Sequence, residues 1–226
     1  MRINKLLSNM GFCSRKEANR FIEEGRVIVN GELCIPGQWV EEEDTILIDN
    51  EPIEPKEKVY IALNKPIGVT CTAEKTIEDN IISYMNYPEY IFPVGRLDKD
   101  SQGLILMTND GDLANKILES ENEHEKEYIV TVNKEFDEDF LKGMSEGVEI
   151  LGTLTKPCKT LRINENTFKI ILTQGLNKQI RRMTKAFGYT VTRLERIRIM
   201  NIKIDGIEYG KWRNLTEEEV SILREC

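Results

Sequence analysis

Residues 147–173 read Gly147-Val-Glu-Ile-Leu-Gly-Thr-Leu-Thr-Lys-Pro157-Cys-Lys-Thr-Leu-Arg-Ile-Asn-Glu-Asn-Thr167-Phe-Lys-Ile-Ile-Leu-Thr173. Three strand-like runs, 147–151, 153–163 and 167–173, follow one another across short turns, and strands joined this closely pair antiparallel. Working outward, further strands are expected at 59–64, 103–108, 127–133 and 197–204. Helices are expected at 78–86, 111–119, 136–145, 178–187 and 216–224, the last opening on the capping box Thr216-x-x-Glu219. Strand and helix patterns therefore alternate, but the antiparallel run favours an α+β fold over a doubly wound parallel sheet.

The composition narrows the chemistry. The 226 residues are 40% hydrophobic and 31% charged, as in a soluble globular protein. Apolar runs are short, Leu104-Ile105-Leu106-Met107 being typical, and a membrane helix needs roughly 20 such residues. No apolar stretch follows the charges of Met1-Arg2-Ile3-Asn4-Lys5, so no secretory signal is expected. Cys13, Cys34, Cys71, Cys158 and Cys226 are odd in number and form no Cys-x-x-Cys pair, which points to a reduced, cytoplasmic setting without disulfides or a zinc knuckle. His124 is the sole histidine and no serine sits in a Gly-x-Ser-x-Gly elbow, which disfavours a serine triad. Metal-ligand spacings, a Walker A loop and Gly-x-Gly-x-x-Gly are all missing, so neither a metal nor a cofactor is expected. Any reaction must run on Asp, Glu, Lys, Arg, Tyr or Cys.

The net charge of −8 is unevenly spread. Residues 1–30 carry six Lys/Arg against three Glu, and residues 174–200 carry seven against Glu195 alone. Acids gather at Glu41-Glu42-Glu43-Asp44 and from Glu119 to Glu127. Two basic segments on an acidic body suit a polyanion that touches one face.

The first 35 residues read as two short helices and a hairpin. Ile3, Leu6, Leu7 and Met10 lie at helical spacing and Gly11 ends the run. Ser14-x-x-Glu17 is a capping box, Ala18, Phe21 and Ile22 make an apolar stripe, and Gly25 closes the helix. A strand then runs from Arg26 to the turn signal Asn30-Gly31. Arg15, Lys16 and Arg20 fall on the opposite helix face, either as an ordinary solvated surface or as phosphate contacts. Arg2-Ile3-Asn4-Lys5-Leu6-Leu7, Ser14-Arg15-Lys16-Glu17-Ala18 and Gly25-Arg26-Val27-x-Val29-Asn30-Gly31 together resemble an S4 RNA-binding domain. The resemblance implies that Arg2, Lys5, Arg15, Lys16 and Arg20 face structured RNA, where phosphate contacts position the protein without reading sequence. An acidic stretch at 41–51 and a polar one at 52–58 place a domain boundary near 56, giving an RNA-binding domain at 1–56 and a second domain at 57–226.

Residues 93–111 form a glycine-flanked polar loop, with Arg96, Asp98, Lys99 and Asp100, that runs into an apolar strand. By composition alone this reads first as an ordinary charged surface loop. Gly95-Arg96-Leu97-Asp98, Ser101-x-Gly103-Leu104 and Thr108-Asn109-Asp110-Gly111 nevertheless resemble the central motif of the RsuA/RluA-type pseudouridine synthases. Three further stretches carry the same resemblance in order: Leu63-Asn64-Lys65-Pro66-x-Gly68, Lys126-Glu127-Tyr128, and Gly175-Leu176-Asn177-Lys178-Gln179-Ile180-Arg181-Arg182-Met183. The fold it implies is a small S4-type domain followed by a mixed, mainly antiparallel sheet with flanking helices.

The resemblance also implies the chemistry. The uridine N-glycosidic bond breaks, the base turns, and it rejoins through carbon 5, with no cofactor needed. Asp98 corresponds to the indispensable aspartate, acting as nucleophile at C1′ or as base toward the 2′ proton, and Arg181 to its basic partner. An aspartate in either role must be ionised, and a guanidinium beside it favours that form. Tyr128 corresponds to the tyrosine that lines the uracil pocket, and Arg96 to a wedge in the gap left by the flipped base. Without the resemblance, Tyr128 reads as a half-buried strand residue and Lys65-Pro66-x-Gly68 as a turn. The basic helix 178–187 by itself reads as a solvated amphipathic face with Ile180, Met183 and Phe187 turned inward; with the resemblance, Lys178, Arg182 and Lys185 are expected to be further RNA contacts.

Within the family, Asp98-Lys99-Asp100-Ser101-Gln102-Gly103, Gln174-Gly175-Leu176-Asn177 and Leu194-Glu195-Arg196-x-Arg198-Ile199-Met200-Asn201 are most similar to a subgroup that modifies large-subunit ribosomal RNA and is associated with a tyrosine tRNA anticodon. The chain stops at Cys226 without the basic tail some members carry. The expected partner is a structured RNA stem-loop, whose bases can unstack, and the expected state is a monomer without membrane attachment. The competing readings are a non-catalytic S4-type RNA-binding protein and a carboxylate-dependent hydrolase.

Overall fold

The structure, a computed structural model, describes residues 1–41, 43–74, 76–119 and 123–225. Glu42 and residues 120–122 of the two acidic runs, and Cys226, lie outside the described residues.

The N-terminal part begins with α1 (Ile3–Asn9) and α2 (Arg15–Glu23). Ile3, Leu6 and Leu7 are buried, and Gly11 takes the left-handed conformation (φ 73°) that turns the chain into the second helix. The capping box forms as expected: Glu17 N donates to Ser14 Oγ at 3.1 Å, and Ser14 N to Glu17 Oε2 at 3.2 Å. Four short strands follow, β1 (Val27–Val29), β2 (Glu32–Leu33), β3 (Ile46–Ile48) and β4 (Glu51–Pro52), in the antiparallel order β2-β1-β3-β4. The acidic stretch 41–51 is therefore not a mere change of composition. Ile46 and Ile48 bury against β1, and Asp49 and Asn50, both at positive φ, turn the chain into β4. Arg26 fixes that turn by donating to Asp49 at 2.8 and 2.6 Å.

The rest builds around one nine-stranded sheet. Its strands are β5 (Tyr60–Lys65), β6 (Phe92–Val94), β7 (Gln102–Thr108), β8 (Lys126–Val132), β11 (Lys159–Arg162), β12 (Thr167–Leu172), β13 (Val191–Ile199), β14 (Ile202–Lys203) and β15 (Trp212–Asn214). The order is β11-β12-β8-β13-β7-β5-β15, with β14 on β13 and β6 on β7. Helices α3 (Ile81–Met85), α4 (Gly111–Leu118), α5 (Glu138–Glu146), α6 (Gln179–Ala186) and α7 (Glu217–Glu225) complete it, and β9 (Glu149–Ile150) and β10 (Thr153–Leu154) make a separate ribbon. The fold is α+β with a mixed, mainly antiparallel sheet. Among the described residues no helix is long and apolar enough to cross a membrane.

Several expected elements are redrawn. The run 153–163 breaks around Pro157, which has no N–H for a ladder, into β10 and β11. The strand expected at 197–204 starts earlier, at Val191, and reverses at Met200 (φ 50°) into the β13–β14 hairpin. Helix 78–86 shortens to α3, because the Asn80 side chain accepts from Ser83 N and sets the start. Phe187 is exposed rather than turned inward, although its ring still meets Phe140 edge-on at 5.6 Å.

The central strand β7 is buried along its whole length and joins the two halves of the sheet. It pairs antiparallel with β5 but parallel with β13, through Gln102 opposite Glu195 and Gly103 opposite Arg196. Gly103 has φ 106°, and a Cβ there would stand 2.3 Å from the Arg196 carbonyl oxygen. No side chain fits. Gly103→Ala should lower stability by more than about 3 kcal/mol, read as a fall in the urea midpoint; a midpoint within experimental error of the parent contradicts this account of the seam.

Candidate active site

The loop that leads into β7 is pinned from several sides. Gly95 turns it at φ 77°, and Leu97 is buried with its N–H donating to Cys71 Sγ at 3.4 Å. Gly68 N donates to Lys99 O at 2.9 Å, and Ser101 N to Asp98 O at 3.0 Å. Lys65, fully buried at the end of β5, donates to Ser101 O at 2.9 Å and Pro66 O at 2.8 Å. Burial holds its ammonium below the ordinary lysine value, while Cys71, Asp100 and Asp98 oppose that shift. From α6, Arg181 donates to Asp100 O at 3.0 Å and Ser101 Oγ at 3.2 Å. These contacts leave the Asp98 carboxylate about one-third exposed, with its Oδ2 4.0 Å from Arg181 Nε.

Asp98 opens on a cavity of about 280 Å³. Arg96 and Leu97 line one side, Lys126 and Tyr128 come from β8, Arg196 from β13, and Leu176, Lys178 and Gln179 from the start of α6. Tyr128 is half-buried on β8, opposite Ile170 of β12 and Arg196 of β13. Arg96 is exposed on the rim. Lys178 sits at positive φ (49°) just before α6, and Gln179 Oε1 accepts from Leu176 N at 2.9 Å, which shapes the turn beside it. The arrangement is a concave site with the Asp98 and Glu119 carboxylates, one aromatic ring and several cations around it. Among the described residues no group of three or more His, Cys, Asp or Glu is placed to hold a metal ion.

The family model for RNA pseudouridylate synthase matches residues 59–186, which contain Asp98, Tyr128 and Arg181, and the S4 domain model matches residues 1–46. The chain belongs to the RNA pseudouridylate synthase family. As a pseudouridine synthase with an N-terminal S4 domain it is similar to the dual-specificity RNA pseudouridine synthase RluF of Escherichia coli (strain K12), at 52% identity over 97% of this chain and 77% of that protein. It is 34% identical to ribosomal large subunit pseudouridine synthase B of Bacillus subtilis (strain 168), over 99% of this chain and 95% of the relative. A solved structure, a crystal structure of a pseudouridylate synthase, superimposes with a TM-score of 0.73 at 30% identity, covering 99% of both chains. The protein is an RNA-modifying isomerase that converts uridine to pseudouridine, which sets aside the non-catalytic alternative.

The synthase's remaining expected residues distribute unevenly. Arg15, Lys16 and Arg20 share the exposed face of α2, and Arg2 is exposed just before α1. Lys5 instead pairs with Asp112 of α4 at 3.3 Å, across to the catalytic part. On α6, Lys185 is exposed, while Arg182 bends back to Asn177, donating to its O at 2.9 Å and its Oδ1 at 3.1 Å. Lys65, Lys126, Gln179 and Arg196 are site residues to which the sequence reading gave no role. All four lie inside the stretches quoted above, so a signal was present, but nothing in a sequence marks Lys65 or Arg196 as buried.

Strand β8, which carries Tyr128, is clamped by charge. Arg198 of β13 donates to Glu127 at 2.8 Å and Glu125 at 2.7 Å, and Lys169 of β12 meets Glu127 at 2.7 Å. The Arg198 hydrogen bond holds Glu125 below its ordinary value; for Glu127 burial pulls upward, but Lys169 and Arg198 outweigh it. Depressed folded-state values mean that this stabilisation is present above about pH 4.5 and is lost as pH falls through the lower, folded values. Arg198→Met should cost roughly 2–4 kcal/mol at pH 7 and flatten the acid limb of a stability–pH curve measured by urea melts between pH 7 and 3. A variant with an unchanged acid limb would exclude Arg198 as the clamp.

Proposed function

We propose that the chain isomerises a uridine in a stem-loop of large-subunit ribosomal RNA, and a second in the tyrosine tRNA anticodon, with Asp98 as the catalytic carboxylate. The observation that carries the role of Asp98 is its position on the cavity, 4.0 Å from the Arg181 guanidinium and in the same enclosure as Tyr128. The ionised carboxylate works on the ribose, at C1′ or at the 2′ proton. The planar fork of Arg181 bonds the loop that carries Asp98, so carboxylate and partner are held as one unit. Tyr128 stacks on the base, and Arg96 at the rim occupies the space that the flipped nucleotide vacates.

Two relatives support these substrates. One is a ribosomal large subunit synthase, and RluF is named dual-specificity. The segments around Asp98, Gln174 and Arg196 resemble the subgroup with those two RNAs. We place the domain boundary near residue 56, between the β4 strand and β5, and the basic face formed by Arg15, Lys16 and Arg20, with Arg2 beside it, on RNA phosphates. Lys178 at the cavity and Lys185 on α6 extend that footprint; Arg182 and Lys5 contribute through the loop and through Asp112 rather than as free cations. The enzyme acts as a monomer in the cytoplasm.

In cells lacking the gene, pseudouridine mapping of ribosomal and transfer RNA should show sites that the wild-type chain restores and Asp98→Asn does not, although the variant still binds RNA. Restoration by Asp98→Asn would remove Asp98 from the role, and unchanged ribosomal and transfer RNA maps would remove the substrates. Separately, replacing Arg15, Lys16 and Arg20 by Ala should weaken RNA binding and reduce the slope of log K against log salt by about 2–3, the loss of three phosphate contacts. An unchanged slope places the RNA on another face.

A further inference from the structure

Arg196 is 3% exposed and forms part of the cavity wall. Its Nε donates to Leu104 O at 2.7 Å, and its guanidinium carbon stands 6.0 Å from the centre of the Tyr128 ring. Its Nη2 is sealed from solvent and has no hydrogen-bond partner among the described residues. A buried guanidinium N–H left unmade is costly, and such a group persists where a ligand supplies the acceptor. Tying β13 to β7 accounts for Nε and the backbone and leaves Nη2 without a task.

We propose that Arg196 Nη2 donates a hydrogen bond to a carbonyl oxygen of the target uracil and stabilises that base as it leaves the ribose. The inference rests on the reading of Asp98 and Tyr128 given above. When the C1′–N1 bond breaks, its electron pair stays with the base and spreads onto O2 and O4. A donor held in the wall, and uncovered as the base seats, meets that charge as it develops, which makes it more effective in the transition state than in the ground state. Lys126, in the same wall, adds positive charge; its ammonium reaches His124 O at 3.3 Å, and burial and Arg196 both press it below the ordinary lysine value. The burial of Nη2 favours a carbonyl oxygen of the base over a phosphate. A phosphodiester continues in two directions and needs an open channel, whereas the edge of a base needs only a closed end.

The test uses the full chain and large-subunit ribosomal RNA transcribed with UTP, 2-thio-UTP or 4-thio-UTP, sulfur being the poorer hydrogen-bond acceptor. Single-turnover formation of the isomerised nucleoside is followed by nucleoside chromatography, and RNA affinity by filter binding. Wild type should lose at least about tenfold in rate with one of the two thio transcripts. Arg196→Lys should bind RNA as wild type does, turn over the uridine transcript roughly 10²–10³-fold more slowly, and show no thio penalty of its own. Equal penalties in the two proteins, or none in wild type, overturn the proposal. If Arg196→Lys melts early or turns over too slowly to compare, the wild-type thio comparison decides alone. Failure of wild type on the uridine transcript, or turnover by Asp98→Asn, instead overturns the underlying reading of the site.

Discussion

The close approach of β7 and β13 at Gly103 is the constraint on which the rest of the catalytic sheet depends. With no side chain at that position, the Arg196 backbone comes within reach, and two antiparallel half-sheets become one. The Gln102–Glu195 hydrogen bond at 3.1 Å and the Arg196–Leu104 hydrogen bond at 2.7 Å close the seam on either side. The site lies across it. Asp98 belongs to the loop entering β7, whereas Tyr128, Arg181 and Arg196 come from the other half or from the helix that precedes β13. Holding reacting groups from different chain segments in fixed geometry is much of what an enzyme contributes.

The cations around Asp98 are anchored mostly to carbonyl oxygens. Lys65 holds Pro66 and Ser101, Arg181 holds Asp100, and Arg196 holds Leu104. A carbonyl satisfies a buried N–H without cancelling its charge, so positive potential survives in the cavity. The clamp on β8 is the opposite case, with Arg198 neutralised by Glu125 and Glu127. A chain of net charge −8 thus keeps a locally cationic site for a polyanion.

The motifs made much of this readable from sequence, because loop glycines, caps and the Asp98 stretch are local signals. The capping boxes at Ser14 and Thr216 both form, and the antiparallel run beginning at 147 gives the right class of sheet. What stayed hidden depended on distant partners. β3 is three residues in an acidic stretch, too short for periodicity, and becomes a strand because β1 and β4 lie on either side. The early part of β13 carries Arg193 and Glu195, which look solvated until they are seen paired with each other and with Gln102. Trp212–Asn214 adds to the edge of β5 from far along the chain. Lys65, Lys126 and Arg196 read as surface charges by type, and only packing reveals that the protein encloses them.

Asn109, at the end of the central motif, has a consequence of another kind. Its amide donates to Glu57 O at 2.8 Å and accepts from Val59 N at 2.9 Å, and Gly11 packs so tightly against it that a Cβ there would lie 2.8 Å from its nitrogen. Gly11 of the S4 domain thus rests on a neutral, fully buried amide whose own hydrogen bonds stay within the catalytic part, while Lys5, Asn9 and Asp112 supply polar contacts across the joint. Mobile ions screen exposed charge and leave buried dipoles untouched. Rising ionic strength therefore weakens the exposed Lys5–Asp112 pair and leaves the close packing of Gly11 on Asn109 as it was.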